Sequence, residues 1–256
     1  MDTAAALAIE YRDASYRLSN GRTILHNLSV EIQRGEVLVL LGRSGSGKTS
    51  ALKLVNRMLE NSSGQVLVDG RPAREWDVLQ LRRHIGYAIQ EVGLFPHFTI
   101  AGNIGLVPEI EHWPKERINA RVQELLKLVG LSSDFASRYP HQLSGGQRQR
   151  VGVARALAAD PPILLMDEPF GALDPLTRSD LQREFLFLQQ QLGKTVLFVT
   201  HDLNEALLLG ARIALLEQGR LVSLSSPQQF LSSSDRLVAQ YVDAFQGSFE
   251  KVRGRT

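Results

Sequence analysis

A glycine-rich segment around residue 45 carries the most specific chemical signal of the chain. Gly42, Gly47, Lys48 and Thr49 have the spacing G-x-x-x-x-G-K-[ST], with a buried-type apolar run before them and helical periodicity after them. Glycines let successive backbone N–H groups face one anion, and the helix that follows adds its N-terminal partial positive charge. The pattern predicts a loop that binds the phosphates of a nucleoside triphosphate. Its residues are Gly42, Arg43, Ser44, Gly45, Ser46, Gly47, Lys48, Thr49 and Ser50.

Two side chains of this loop have distinct expected roles. The ammonium of Lys48 is expected to reach the β- and γ-phosphates, and the hydroxyl of Thr49 is expected to bind Mg²⁺. The motif therefore predicts nucleotide binding, but it does not distinguish one class of nucleotide-hydrolysing protein from another.

A pair of carboxylates closes a second apolar run. Asp167 and Glu168 follow the run Ile163–Met166, and Pro169 ends it. Ligands of α/β sheets bind at the carboxyl ends of the strands, so both acids are placed for chemistry on a nucleotide. Asp167 suits Mg²⁺ binding, and Glu168 suits the base that orients or polarises an attacking water.

Composition excludes several other classes of protein. The 256 residues are 43% apolar and carry a net charge of +2, which indicates a globular chain without the basic surplus typical of nucleic-acid binders. The absence of cysteine excludes disulfides, zinc-thiolate sites and cysteine nucleophiles. No apolar run approaches the roughly 18 residues of a spanning helix, and the N-terminus lacks the basic start of a secretory signal.

Strand and helix patterns alternate along most of the chain. Continuous apolar runs predict buried strands, and amphipathic segments between them predict helices, so the expected fold class is α/β with a mainly parallel sheet. The predicted strands are 37–41, 65–69, 85–90, 163–166 and 195–200, with a hairpin at 212–217 and 220–223. The predicted helices are 49–60, 115–129, 147–159, 176–192 and 203–209, of which the second and third form an insertion between strands. The end of the chain, with Lys251, Arg253 and Arg255, is expected to be a solvated basic tail.

A second anion-binding pattern lies in the insertion. In Leu143–Gln147, Ser144 can cap a helix that starts near Gly145, and the two glycines expose backbone N–H groups. Together with the loop at Gly42 and the Asp167–Glu168 pair, this segment closely resembles the ATP-binding subunit of ABC transporters. The matching residues are Ser144, Gly145, Gly146 and Gln147.

The resemblance implies an architecture and an assembly. It implies a P-loop NTPase (RecA-like) core, an N-terminal antiparallel β subdomain and an inserted α-helical subdomain, in one ABC ATPase domain. The expected lobes are about 1–90 with 160–225, and about 91–159, followed by a tail at about 226–256. It also implies a head-to-tail dimer of two copies, in which each ATP lies between the Lys48 loop of one subunit and the Ser144 loop of the other.

Three further residues match elements of the family. Gln90 matches the glutamine that senses Mg²⁺ and the membrane partner. Asp174, in the sequence Gly171-Ala172-Leu173-Asp174, matches a residue that crosses the dimer interface. His201 matches the histidine that contacts the γ-phosphate, so Glu168, His201, Gln90 and Lys48 are the expected catalytic residues.

The adenine contact departs from the family pattern. The position of the usual stacking aromatic is occupied by Leu18, with Tyr16 two residues earlier on the same predicted strand face. Tyr16 is the candidate platform, Leu18 could give apolar contact instead, and Tyr11 is a weaker candidate. A base stack contributes about 1–3 kcal/mol, so its loss would weaken ATP binding without abolishing it.

The resemblance also suggests what is transported. Segments 82–90, 93–100 and 103–108 look like those of importers of quaternary amines such as glycine betaine, choline or carnitine. It implies a peripheral position on the cytoplasmic face of the membrane, separate permease subunits and, indirectly, a substrate-binding protein. Segment 91–106, with Phe95, Phe98 and Ile100, is expected to face the permease, although some of these residues could simply be core. At 256 residues the chain is expected to lack the pair of C-terminal CBS domains that members of this group often carry.

Other functions are also compatible with these motifs. An importer of another small solute and an exporter or lipid transporter share the same motifs. A soluble ABC ATPase acting on DNA or ribosomes would need coiled-coil insertions or a second ATPase unit, and neither is evident. A kinase with a phosphate loop would lack the Leu143–Gln147 segment.

Overall fold

The computed structural model describes residues 6–89, 93–171 and 173–253. Its strands are β1 Leu7–Arg17, β2 Thr23–Gln33, β3 Val37–Leu41, β4 Ser63–Val68, β5 Arg71–Pro72, β6 Ile85–Ala88, β7 Ile163–Asp167, β8 Thr195–Thr200, β9 Arg212–Glu217 and β10 Arg220–Ser225. Its α-helices are α1 Lys48–Val55, α2 Val78–His84, α3 Ile100–Ile110, α4 Lys115–Leu128, α5 Gly145–Leu157, α6 Pro175–Leu192, α7 Leu203–Leu209, α8 Pro227–Leu231 and α9 Arg236–Arg253.

The chain divides into two compact units. One comprises the residues up to Ala73 and those from Leu197 onward, and the other comprises Arg74–Val196. The predicted α/β class is confirmed, with both parallel and antiparallel pairing present. The lobe boundaries expected from the sequence stay a prediction.

The first unit contains the antiparallel N-terminal sheet and the strand that leads to the phosphate loop. The N-terminal sheet has the order β2-β1-β4-β5, and β1 pairs antiparallel with both of its neighbours. The remaining strands follow the order β10-β9-β3-β8, in which β3 runs parallel to β9. All five residues of β3 are buried, as its continuous apolar sequence predicts for a strand covered on both faces.

The second unit combines β6 and β7 with four longer helices. These two strands pair in parallel, from Ile85 opposite Ile163 to Ala88 opposite Met166. Helix α3 has no counterpart among the helices predicted from sequence, because Gly102, Gly105 and Pro108 interrupt the usual pattern. It is held by a Thr99 cap, whose Oγ1 accepts from the N–H of Gly102 at 3.1 Å.

Two helix boundaries differ from the expected ones for identifiable reasons. Helix α1 ends at Val55 rather than at residue 60, because Arg57 has a left-handed φ of 53° that interrupts helical geometry. Helix α5 begins at Gly145, as the predicted Ser144 cap requires, and so two residues before the start that the apolar periodicity indicates. Within the part of the chain that the structure describes, no helix is both long and apolar enough to cross a membrane.

Two helices follow residue 226, and neither is among the helices predicted from sequence, although apolar residues recur at helical spacing in α9. Helix α8 packs against β9, β10 and α9, and Phe230 in α8 is completely buried. Val238 in α9 is also completely buried. The predicted solvation of Lys251, Arg253 and Arg255 concerns side chains outside the described ones, so it stays a prediction.

We expect the Phe230→Ala variant to lose about 3–5 kcal/mol of unfolding free energy, because a fully buried aromatic ring leaves a cavity when it is truncated. Urea denaturation followed by circular dichroism measures this loss. Leu231→Ala is the matched control, since the adjacent side chain is 46% exposed and should cost less than about 1 kcal/mol. Equal losses in the two variants would contradict the packing of α8 into the fold.

Candidate functional site

The phosphate loop in the first unit has two positions where only glycine fits. Gly47 has a φ of 99°, and a Cβ atom there would lie 2.7 Å from Leu25 Cδ2. A Cβ atom on Gly42 would lie 2.3 Å from the carbonyl oxygen of Leu216. Neither position has room for a side chain. Contacts with β2 and β9 therefore require glycine at Gly47 and Gly42, respectively.

Polar atoms of the loop are arranged for an anion. Lys48 is 5% exposed, and its Nζ donates to the carbonyl oxygens of Gly42 at 2.7 Å and Arg43 at 3.0 Å. These bonds hold the cation at the loop rather than in solvent. Among the described residues Ser46 Oγ is buried and has no hydrogen-bond partner, so its hydroxyl is suited to donate to a phosphate oxygen.

The predicted adenine platform lies close to this loop along the sheet. Tyr16 is half-buried near the end of β1 and pairs with Leu25, whose side chain packs against Gly47. Tyr11 is wrong as an alternative platform: it is 2% exposed, and its hydroxyl donates to Ala51 O at 2.9 Å. A ring buried in the core offers no face to a base. Leu18 is partly exposed just beyond β1, so the choice between Tyr16 and Leu18 stays open.

A rigid turn positions His201 at the end of β8. Thr200 Oγ1 donates to the buried carboxylate of Glu205 at 2.5 Å and accepts from the N–H of Asp202 at 3.0 Å. Asp202 then caps α7 by accepting from the N–H of Asn204 at 2.7 Å. His201 is exposed between these anchors, in the same unit as the phosphate loop.

The acidic pair in the second unit has two different environments. Asp167 is 5% exposed, whereas Glu168 is partly exposed and has a left-handed φ of 46°. Few residues other than glycine adopt this φ, and such strain concentrates at functional sites. Burial, followed by the charge of Asp167, raises the pKa of Tyr87 to about 12.

The second predicted anion cradle is built as a capped helix. Ser144 Oγ accepts from the N–H of Gln147 at 3.2 Å, and Gln147 Oε1 accepts from the N–H of Ser144 at 2.9 Å. This reciprocal capping box fixes the turn. Ser144 and Gly145 are exposed at the start of α5, where helix N–H groups favour an anion.

Asp174 lies at the start of the next helix in the same unit. It caps α6, and its carboxylate accepts from the N–H of Thr177 at 3.0 Å. Hydrogen bonds from Thr177, first from its side chain and then from its backbone, lower the pKa of Asp174, so the exposed group is ionised at neutral pH. A Cβ atom on Gly146 would lie 3.0 Å from Leu173 Cδ2, so the structure brings the Ser144 and Asp174 segments together.

The other predicted residues are Gln90 and the apolar side chains of segment 91–106. Gln90 lies outside the described residues. Phe95 and Phe98 are 46% and 41% exposed, whereas Ile100 is fully buried and belongs to the core rather than to a surface. Asn103, which has no sequence signal of its own, ties this surface to α3 by accepting from the N–H of Phe95 at 2.8 Å.

Oxygen donors for Mg²⁺ are present at the predicted positions. The hydroxyl of Thr49 lies in the first turn of α1, and Asp167 offers a buried carboxylate at the end of β7. Hydroxyl and carboxylate oxygens, together with phosphate oxygens, are the ligands that Mg²⁺ prefers. Each of these groups is therefore of a kind that Mg²⁺ binds, and the ion itself stays a prediction.

Comparison with known proteins gives a consistent result. A family model described as ABC transporter matches residues 25–171. The glycine betaine/carnitine/choline transport ATP-binding protein OpuCA of Bacillus subtilis is 48% identical over 92% of this chain and 61% of its own length. The glycine betaine uptake system ATP-binding protein YehX of Escherichia coli is 49% identical over 88% of this chain and 72% of its own length.

Solved structures agree with the sequence relatives. The ATP-binding cassette MJ0796, solved as a dimer in a post-hydrolysis state with ADP and Pi, has a TM-score of 0.79 and 33% identity over 86% of this chain and 98% of its own. CbiO1 of Clostridium perfringens has a TM-score of 0.82 and 26% identity over 97% of this chain and 99% of its own. The chain spans about three-fifths of the first curated relatives it matches, OpuCA and the choline transport ATP-binding protein OpuBA. The match over residues 25–171, with the loop at Gly42 and the capped turn at Ser144, shows that this chain belongs to the ABC transporter family.

Proposed function

We propose that this chain is the ATP-hydrolysing subunit of an importer for quaternary-amine osmoprotectants such as glycine betaine or choline. The structure of the phosphate loop supports ATP as the nucleotide that is hydrolysed, because Gly42 and Gly47 leave no room for a Cβ atom and Lys48 is buried beside them. The substrate class is supported by relatives 47–49% identical whose names refer to glycine betaine, carnitine or choline. The chain functions as one ATPase domain with two lobes.

Different residues of the site bind the phosphates and the metal ion. Lys48 neutralises the β- and γ-phosphates, while loop N–H groups and Ser46 Oγ donate to their oxygens. Thr49, Asp167 and Gln90 would hold Mg²⁺. When bound, this ion neutralises charge that develops on the phosphates during transfer.

Glu168 is the proposed base for hydrolysis. Its carboxylate accepts a proton from the water that attacks the γ-phosphorus, while the bond to the β–γ bridging oxygen breaks and ADP leaves. The left-handed φ of Glu168 sets the direction of its Cα–Cβ bond just after β7. His201, exposed on its anchored turn, contacts the γ-phosphate and stabilises its negative charge.

Two copies of the chain complete each site. We infer a head-to-tail dimer in which Ser144 Oγ, Gly145 and Gly146 face the nucleotide held by the partner. Ser144 Oγ accepts its capping bond, so its own hydroxyl proton is available to donate to a phosphate. The dimeric cassette structure similar to this chain supports the arrangement.

Membrane partners and location follow from the transport role. The exposed rings of Phe95 and Phe98 form the surface for integral-membrane permease subunits on the cytoplasmic face. A separate substrate-binding protein delivers the amine, and nucleic acid has no part in the cycle. ATP-driven closure of the dimer switches the access of the permease, and hydrolysis resets it.

Vesicle uptake tests the whole proposal. The chain is co-purified with its permease subunits and reconstituted with the cognate binding protein, and uptake of radiolabelled glycine betaine and choline is measured with ATP inside the vesicles. We expect ATP-dependent accumulation of at least one quaternary amine and none of a neutral amino acid. ATP-dependent uptake of other solutes alone would contradict the substrate class, and ATP-dependent release would contradict import.

Replacing Lys48 with alanine should weaken ATP binding roughly 10- to 100-fold, because charge-assisted bonds to the phosphates are lost. Titration with a fluorescent ATP analogue measures the dissociation constant. Lys53→Ala, in the last turn of the same helix, is the control and should bind normally. Equal ATP affinities of the Lys48→Ala and Lys53→Ala variants would contradict the role of Lys48 in phosphate binding.

Replacing Glu168 with glutamine should lower kcat about 100-fold or more while ATP binding persists, because the base is lost but the phosphate contacts stay. Phosphate release measures turnover, and size-exclusion chromatography with ATP measures the dimers that should accumulate. Normal turnover would refute the assignment of Glu168.

Two controls separate the steps of this experiment. Glu116→Gln changes an exposed carboxylate on α4 and should keep normal turnover. Adding Ser144→Arg to the Glu168→Gln variant should keep the protein monomeric with ATP bound, since the bulky side chain blocks only the partner's nucleotide. Dimers of this double variant would contradict the head-to-tail arrangement.

A further inference from the structure

A buried carboxylate lies four residues after His201, in the first turn of α7. This residue, Glu205, is 4% exposed, although a carboxylate is costly to bury unless hydrogen bonds satisfy it. Thr200, the last residue of β8, supplies one such bond, because its Oγ1 donates to Glu205 Oε2 at 2.5 Å. Thr200 and Glu205 are therefore buried on either side of His201 in the sequence, while His201 itself is exposed.

The hydroxyl of Thr200 also binds the backbone beside His201. The N–H of Asp202 donates to Thr200 Oγ1 at 3.0 Å, and this N–H belongs to the peptide group that joins His201 to Asp202. A hydroxyl has one proton to donate and lone pairs with which to accept. Because the carboxylate of Glu205 takes the proton, a lone pair of the same oxygen faces the Asp202 N–H. The orientation of the peptide group after His201 therefore depends on Glu205.

Helix α7 fixes Glu205 to the core of the first unit. The helix packs against β3, and just after it the N–H of Ala211 donates to the carbonyl oxygen of Val37 at 2.9 Å. Its buried apolar side chains are Leu203, Ala206 and Leu209. Since β3 leads into the phosphate loop, the bond between Thr200 and Glu205 ties the His201 turn to the strand that carries that loop.

Stability of the fold does not by itself explain a carboxylate at this position. When both partners of a buried hydrogen bond are replaced by apolar groups of the same shape, stability often changes little. An apolar side chain at residue 205 could fill the same volume, but it could not accept the proton of Thr200. The carboxylate thus adds a directional bond beside a side chain whose direction matters for function.

We propose that Glu205 is a positioning residue for His201, and that it acts through the Thr200 hydroxyl, which orients the peptide group after His201. The side chain of His201 then approaches the γ-phosphate from a turn that is already ordered. The inference rests on the proposed function, because it requires that His201 contacts the γ-phosphate.

The test replaces both partners of the buried hydrogen bond with apolar side chains of similar shape. The double variant Thr200→Val/Glu205→Leu should keep a melting temperature near that of the wild type. Its kcat, measured by phosphate release, should fall roughly three- to thirtyfold, because a misoriented group loses much of its effect on the reaction. KM and the affinity for a fluorescent ATP analogue should stay within about threefold, since the other phosphate contacts remain.

Conservative variants separate the hydrogen bonds from the shape of the side chains. Thr200→Ser keeps the hydroxyl, and Glu205→Gln keeps an oxygen that accepts from it, so each should retain at least about half of the wild-type kcat. Should the double variant fail to fold, Thr200→Val alone makes the same comparison with Thr200→Ser. Leu208→Ala, 48% exposed on the same helix, is the matched control and should keep the wild-type kcat.

Hydrogen exchange reports on the turn without turnover. In nucleotide-free protein the Asp202 amide should exchange roughly tenfold faster in the Thr200→Val/Glu205→Leu variant, because its acceptor is gone. Exchange at this amide should be normal in Thr200→Ser, Glu205→Gln and Leu208→Ala. Normal exchange in the double variant would overturn the inference, because the peptide group would then be ordered by other contacts.

A His201→Ala background assigns the loss of activity to His201. In this background the double change should lower kcat no further, because it acts through the side chain that is already missing. An equal loss of kcat with and without His201 would overturn the inference, and so would equal losses in the apolar and the conservative variants.

The same measurements distinguish the inference from the proposed function. A wild-type kcat in the Thr200→Val/Glu205→Leu variant, when His201→Ala is impaired, would overturn the inference and leave the proposed function intact. A wild-type kcat in His201→Ala would refute the role of His201 in the proposed function, and the inference with it.

Discussion

The backbone contact between the β9–β10 turn and the phosphate loop is the constraint on which the nucleotide site depends. Gly219 donates to Ser46 O while it accepts from His26, so the turn connects the loop with the N-terminal sheet. A Cβ atom on Gly219 would lie 2.1 Å from Ile24 O, which leaves no tolerance for a side chain. Strands far apart in sequence therefore determine the shape of a loop whose motif looks entirely local.

The parts that could be predicted from sequence are those with local causes. The run of apolar residues in β3 follows from burial on both faces, and the spacing of Gly42, Lys48 and Thr49 follows from the geometry of anion binding. The cap of α5 by Ser144 likewise needs only neighbouring residues. In each case the chemistry that selects the residue lies within a few positions of it.

The parts that escaped prediction depend on distant contacts. The left-handed backbone of Glu168 has no signal in its residue type, because that conformation is normally found at glycine. Helix α3 carries two glycines and a proline, and Asn103, fully buried, compensates by binding the carbonyl oxygens of Phe95, Phe98 and Thr99.

The reciprocal capping of Ser144 and Gln147 has a thermodynamic consequence for association. Both hydrogen bonds form within one chain, so the turn keeps a single conformation before any anion or second molecule approaches. Ordering a flexible backbone residue costs about 1–2 kcal/mol of conformational entropy. A preorganised turn avoids that penalty when it binds, so more of its intrinsic interaction energy appears as affinity.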